Sequence, residues 1–163
     1  MMTSTILALL CVVIGGVSGL RSLMGIAVVS IVAQRGWPHL GWLHLGGTGL
    51  SFLGTPVAMY VFVALAIGEL IADKLAFIPP RIQAGPLAAR FVLGGLCASA
   101  LALAAGMPWI FPAVVGGVSA VVAAYAGYWL RRGITSRGVK DLPIALLEDV
   151  TAILLALFAV SRF

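Results

Sequence analysis

The sequence predicts an all-α fold: a polytopic transmembrane bundle of about five membrane helices, the first of them broken. Three observations carry that expectation. Hydrophobic residues make up 62% of the 163-residue chain and charged residues 9%, a balance far from that of a soluble globular domain. The apolar residues come in runs long enough to cross a hydrocarbon core of roughly 30 Å, which takes about 20 helical residues. The polar breaks between runs are short, so residues 1–163 read as a single transmembrane helical domain.

The first run, residues 6–33, is too long for one straight span and is interrupted by Gly15, Gly16, Ser18, Gly19, Arg21 and Ser22. A kinked or broken helix is expected there. Met1 to Thr5 carries no Lys or Arg, so the run lacks the basic n-region of a cleaved signal peptide and reads as a retained helix. A second helix is expected over 57–78. Pro79 and Pro80 end it, because proline lacks a backbone donor and disfavours helix in the residue before it. A third covers 87–105, and Gly106, Met107 and Pro108 form a tight connection to a fourth over 109–130. A basic loop, 131–140, leads to a fifth over 142–160. Short loops imply antiparallel neighbours. The longest connection, 35–56, carries Trp37, Trp42, Phe52 and six glycines, which suits an irregular segment at the membrane interface.

Orientation follows from the bases in the connections. With the N-terminus inside, Lys74, Arg81, Arg90, Arg131, Arg132, Arg137 and Lys140 are cytoplasmic and only Arg35 and Arg162 lie outside. The bias favours a cytoplasmic N-terminus. That assignment depends on the first run: two spans or a re-entrant hairpin would move the N-terminus to the other side and leave the later helices as they are. The net charge of +5 is explained by this placement, since the bases sit at helix ends and form no solvated stripe with aromatic partners for nucleic acid.

All five acids, Glu69, Asp73, Asp141, Glu148 and Asp149, lie in or beside the apolar runs. A charge near the bilayer centre costs about 2.5 to 3.5 kcal/mol on insertion scales, so these acids must face one another, water or a ligand. Glu69 and Asp73, one helical turn apart, share a face, while Lys74 points about 100° away and snorkels to the interface. Glu148 and Asp149 are adjacent, diverge by about 100°, and at most one points straight down the bundle axis. Both pairs fall in the same half of the bundle, with Arg90 at the start of the third helix and Arg21 in the broken first helix within reach.

Other signals weigh less. Gly94, Gly95, Ala98, Gly116, Gly117, Ala120, Ala124 and Gly127 allow close helix approach, within the chain or in a homo-oligomer. Gly-Gly-Val-Ser occurs at 15 and again at 116, and Gly19 to Met24 faintly echoes Gly138 to Pro143. Inverted repeats are a transporter plan, although glycine-rich apolar sequence produces such matches readily. Cys11 and Cys97 lack metal-ligand spacing and read as small buried residues, and His39 and His44 read as interfacial histidines rather than ligands. No metal or cofactor is expected. The zinc-protease helix, the serine-hydrolase elbow and the phosphate loop are all missing, so no enzyme is expected.

Gly19-Leu20-Arg21-Ser22, Gly68-Glu69-Leu70-Ile71-Ala72-Asp73-Lys74 with Pro79-Pro80-Arg81, and Ala145-Leu146-Leu147-Glu148-Asp149 together resemble an uncharacterised bacterial integral-membrane family, domain of unknown function four-one-two-six, across nearly the whole chain. The resemblance implies a helical membrane fold and singles out the same charged positions. It implies no activity or substrate. The expectation is therefore a multi-pass protein of a bacterial inner membrane, a small transporter or channel for a proton, cation or small polar solute. Glu69, Asp73, Glu148 and Asp149 would line its polar core, with Arg21 and Arg90 as counter-charges. A non-transporting scaffold or accessory subunit with structural ion pairs is the alternative, and a lipid-phosphate handling protein is the third.

Overall fold

A computed structural model of the chain describes residues 3–36, 42–73, 82–138 and 140–163. Among these residues the secondary structure is entirely helical: α1 (Ser4–Leu20), α2 (Met24–Arg35), α3 (Pro56–Ala72), α4 (Ala84–Ala104), α5 (Ile110–Thr135) and α6 (Asp141–Val160), with one 3-10 turn at Ser51–Gly54. The helices α4, α5 and α6, of 21, 26 and 20 residues, are long and apolar enough to cross a membrane. At about 1.5 Å per residue each matches or exceeds the hydrocarbon thickness. The helices α1 and α3 are 17 residues long and α2 is 12.

The break expected in the first apolar run lies at Arg21, Ser22 and Leu23, and there the chain turns back on itself. A Cβ placed on Gly25 of α2 would stand 2.7 Å from the Ser18 hydroxyl and 3.6 Å from the Ile14 carbonyl oxygen of α1, positions that a helix continuing straight would leave far behind. Thereafter the directions alternate. On α3, Glu69 meets Ser22 and Leu23 while Gly54, just before the helix, lies under Ala33. On α4, Arg90 reaches Gly19 and Ala98 accepts from the Cys11 thiol. The start of α6 pairs with the end of α5 through Asp141 and Arg131. Every turn carrying an acid therefore falls at one end of the bundle. The two chain termini, the 42–55 connection and the α4–α5 turn fall at the other.

Three helices pack backbone to backbone. Gly15 of α1 lies so close to Gly116 of α5 that an added Cβ would stand 2.3 Å from the Gly116 carbonyl oxygen, and Gly19 has the same relation to Ala120 at 2.2 Å. The repeated Gly-Gly-Val-Ser segments are thus an in-register parallel pair, the contact that small residues permit between membrane helices. Gly94 of α4 closes on Gly116 and Ala120 from the other side. The small-residue stripe is used inside the chain.

Apolar packing fills the end away from the acids. Cys11, Ile14, Val17, Val29, Val32, Leu101, Ala152 and Val160 are all fully buried there, and the outward faces of the helices remain apolar toward lipid, as at Phe111, Val122 and Leu147. Two sequence expectations change in detail. The 35–56 connection exposes Trp42 and Phe52 as an interfacial segment should, yet it also drives Leu43, Leu45 and Leu53 into the core. Arg131 and Arg132, expected in a loop, extend α5, because hydropathy marks where an apolar run stops and arginine continues a helix readily. Lys74, Trp37, His39, Pro79, Pro80 and Arg81 lie outside the described residues.

Local chemistry accounts for the helix ends. Thr55 accepts from the Ala58 N–H at 3.2 Å with Pro56 at the first helical position, the arrangement that satisfies a free amide where proline needs none. Gly106, at φ +68°, ends α4 in the left-handed conformation. Thr55→Ala is expected to lower stability by about 1 kcal/mol, measured as the shift in thermal unfolding of the detergent-purified protein. An unchanged midpoint would show that the cap contributes nothing to holding α3.

Candidate functional site: an ionic hub at a helix break

Breaking a helix inside a low-dielectric bundle exposes the last carbonyls of one piece and the first amides of the next, and each must find a partner. Here side chains from other helices supply both. The Glu69 carboxylate accepts from the Ser22 N–H at 2.8 Å, the Leu23 N–H at 2.9 Å and the Ser22 hydroxyl. It lies where the partial positive charge of the α2 N-terminus favours an anion. On the other side of the break, Arg90 donates through Nε to the Gly19 carbonyl at 3.0 Å. Arg90 Nη2 also stands 4.0 Å from Glu69.

Arg21, within the break, is the largest fully buried side chain among the described residues. Its guanidinium bonds to Asp73 of α3 through Nη1 and lies 2.5 Å from Asp149 and 4.0 Å from Glu148 of α6 through Nη2. Arginine suits this place because its planar fork presents donors in several directions and keeps its charge when buried. Glu148 turns toward α5 as well, with Arg131 at 3.8 Å. Arg131 in turn holds Asp141 at 2.6 Å through Nε.

The structure thus brings together all six residues singled out from the sequence: Arg21, Glu69, Asp73, Arg90, Glu148 and Asp149. It adds three others. Ser22 contributes a hydroxyl and an amide, and Arg131 and Asp141 extend the network to the rim. A serine after Arg21 carries no distinguishing signal in an apolar sequence, and the Arg131 to Asp141 pair forms only because α5 runs a full turn past its apolar stretch. Glu148 and Asp149 do diverge, but Arg21 stands between them and is long enough to meet both.

Five carboxylates and three guanidiniums make up this hub among the described residues. Its four inner carboxylates are nearly buried and its central guanidinium wholly so. Side-chain exposure is 12% for Glu69 and Asp73, 11% for Glu148 and 9% for Asp149, against none for Arg21. Below it stand the fully buried Ile14, Val17 and Ile26. A cavity of about 560 Å³ lies on the outer face between α4 and α5, lined by residues such as Leu50, Phe91, Leu96 and Trp109, and includes no hub residue. Among the described residues no group of three His, Cys, Asp or Glu side chains is placed to hold a metal ion. His44 stacks against Trp42 at 4.8 Å.

Fold and site together define a small polytopic membrane protein organised around an ionic hub at a helix break. The chain belongs to the family described as Domain of unknown function (DUF4126), whose model matches residues 8–162. No curated protein and no solved structure matches it.

Proposed function

We propose that the protein is a small transporter of the bacterial inner membrane and that the hub is its exchange site for a proton, cation or small polar solute. One observation carries this reading: four nearly buried carboxylates and two arginines, from the α1–α2 turn, α3, α4 and α6, converge on one point at one end of the bundle. The turn between α1 and α2 leaves free backbone ends at the hub, whose fixed dipoles can hold a charged or polar species. Buried ionisable groups in membrane helices are costly, and proton and ion pathways are where they recur.

The hub end also carries Arg131, Arg132, Arg137 and Lys140, so the positive-inside rule makes it cytoplasmic. Under that rule the reversal at Arg21 supports a reading with both termini on the outer side, the outcome expected if the first run forms two spans. In this orientation the hub opens to the cytoplasm and the apolar half of the bundle closes the outer side.

A second reading, a scaffold or accessory subunit, is favoured by the pairing itself, since Arg21 is wholly buried and its carboxylate partners hold two helices, α3 and α6, to it. Reconstitution separates the two. Wild-type vesicles are expected to pass protons, a cation or a polar solute under a gradient, and Glu69→Gln, which keeps one acceptor oxygen for the Ser22 amide and hydroxyl and gives up the one for Leu23, is expected to lose that flux, with folding checked by its thermal unfolding. Wild-type vesicles as tight as empty ones across these solutes would sink the transport reading in favour of the scaffold.

A further inference from the structure

Beyond the hub, α2 carries two buried polar atoms that have no hydrogen-bond partner among the described residues: Ser30 Oγ and Gln34 Oε1. The residues are four apart and so lie on one face of the helix. The state of Ser30 is unusual for this chain. Ser18, Ser99, Thr135 and Thr151 each donate to the carbonyl four residues back, at 3.4, 2.8, 2.8 and 2.7 Å, the usual refuge of a hydroxyl on an apolar helix. Ser30 is fully buried and does not. Buried polar groups left over by the protein are normally satisfied by internal water, and a polar site with several partners is where such water is held.

Their place in the bundle gives this a direction. Measured along α2 from Leu23, whose amide is bonded to Glu69, Ser30 and Gln34 stand roughly 10 and 16 Å toward the outer end. Gln34 is only partly buried, and its neighbour Arg35 bonds the Tyr60 hydroxyl at an exposed position, 3.2 Å. The series begins next to the hub and ends beside exposed Arg35 at the other end of the bundle. Ile26, fully buried and one turn before Ser30, forms the apolar step between hub and series, the kind of constriction that gates by wetting and drying.

We propose that the transported species is the proton, carried between the hub and the outer side along bound water held by Ser30 and Gln34 on α2. The inference rests on the transport reading above and names its substrate. A file of water needs only donors and acceptors at intervals, which a hydroxyl and an amide oxygen supply. A metal cation stripped of water needs about six or more oxygen ligands, and this stretch offers two side-chain oxygens. The net step is transfer of one proton from the outer water to a hub carboxylate and from that carboxylate to cytoplasmic water, or the reverse, with no bond change beyond proton exchange.

The test uses full-length protein in liposomes loaded with a pH dye, with a potassium gradient and valinomycin to set the voltage. Wild type is expected to move protons; Ser30→Ala and Gln34→Leu are expected to move them severalfold more slowly, and Ser30→Thr, which keeps the hydroxyl, at close to the wild-type rate. Proton flux undiminished in Ser30→Ala and Gln34→Leu overturns the path and leaves the transport reading standing. Sodium, potassium or solute flux without protons overturns the proton as substrate. Vesicles tight to everything overturn both this inference and the reading beneath it. X-ray hydroxyl-radical footprinting of wild type needs no variant: oxidation at buried Ile26 or Val29 is expected from water bound beside them, and protection of both overturns the hydrated face.

Discussion

Arg21→Met will lower the stability of the folded bundle by about 3 to 5 kcal/mol, enough to unfold much of the population on mild heating. Methionine fills the space of arginine's aliphatic stem, so the loss is mainly one of charge and hydrogen bonds at the guanidinium. Asp73, Glu148 and Asp149 would be left facing one another without the guanidinium that lies among them, and burying a charge without its partner is what makes such breaks costly. Arg21→Lys will recover only part of the loss, since a compact ammonium cannot hold carboxylates from α3 and α6 at once. Thermal unfolding in detergent measures both variants. Adding Asp73→Asn and Asp149→Asn to Arg21→Met should return stability toward wild type, and a triple variant as weak as the single one would mean that Arg21 acts through packing instead.

Gly116→Leu will be of comparable severity for a different reason. An added Cβ would meet the Gly94 carbonyl oxygen at 2.4 Å and the Ala98 methyl at 2.5 Å, while the Gly116 backbone is itself the surface against which Gly15 rests. No rotamer moves the Cβ away from the Gly94 backbone, so α4 and α5 must separate and α1, which rests on the Gly116 backbone, must follow. Overpacking typically costs about 1 to 3 kcal/mol, and displacement of two helices puts this case at the upper end or beyond. Gly133→Ala, also on α5 but with nothing within 4 Å of the added Cβ, is the control. It should be neutral or stabilising by up to about 1 kcal/mol, because alanine is the better helix former. Equal losses in the two variants would argue that α5 tolerates no change of any kind and that the glycine contact is not special.

The parts of this arrangement legible in the sequence were those in which one residue type violates its surroundings. Acids within apolar runs had to converge on something, so Glu69, Asp73, Glu148 and Asp149 could be placed together with Arg21 and Arg90 before any coordinate. The glycine and serine cluster around Arg21 marked the break for the same reason. The direction of the chain after the break was not legible, because it depends on Gly25 seating against Ser18, a contact that composition does not encode. Nor was the plugging of the core by Leu43, Leu45 and Leu53, since leucines in an irregular segment look the same whether they face lipid or protein. Ser30 shows the limit most plainly: it sits in an apolar run much as Ser18 does, and only the missing bond to the carbonyl behind it distinguishes the two.

The break at Arg21 also imposes an order of assembly. The first hairpin enters the membrane with α2 amides awaiting Glu69, an α1 carbonyl awaiting Arg90 and a guanidinium awaiting Asp73 and Asp149. Those partners are carried on α3, α4 and α6, so α6 follows the hairpin by more than a hundred residues. Until α6 arrives, Arg21 has a carboxylate from only one of its two partner helices. Docking of α6 and completion of the carboxylate set around the most deeply buried charge are therefore the same event, and a bundle still lacking α6 carries within its first hairpin a chemical mark of being unfinished.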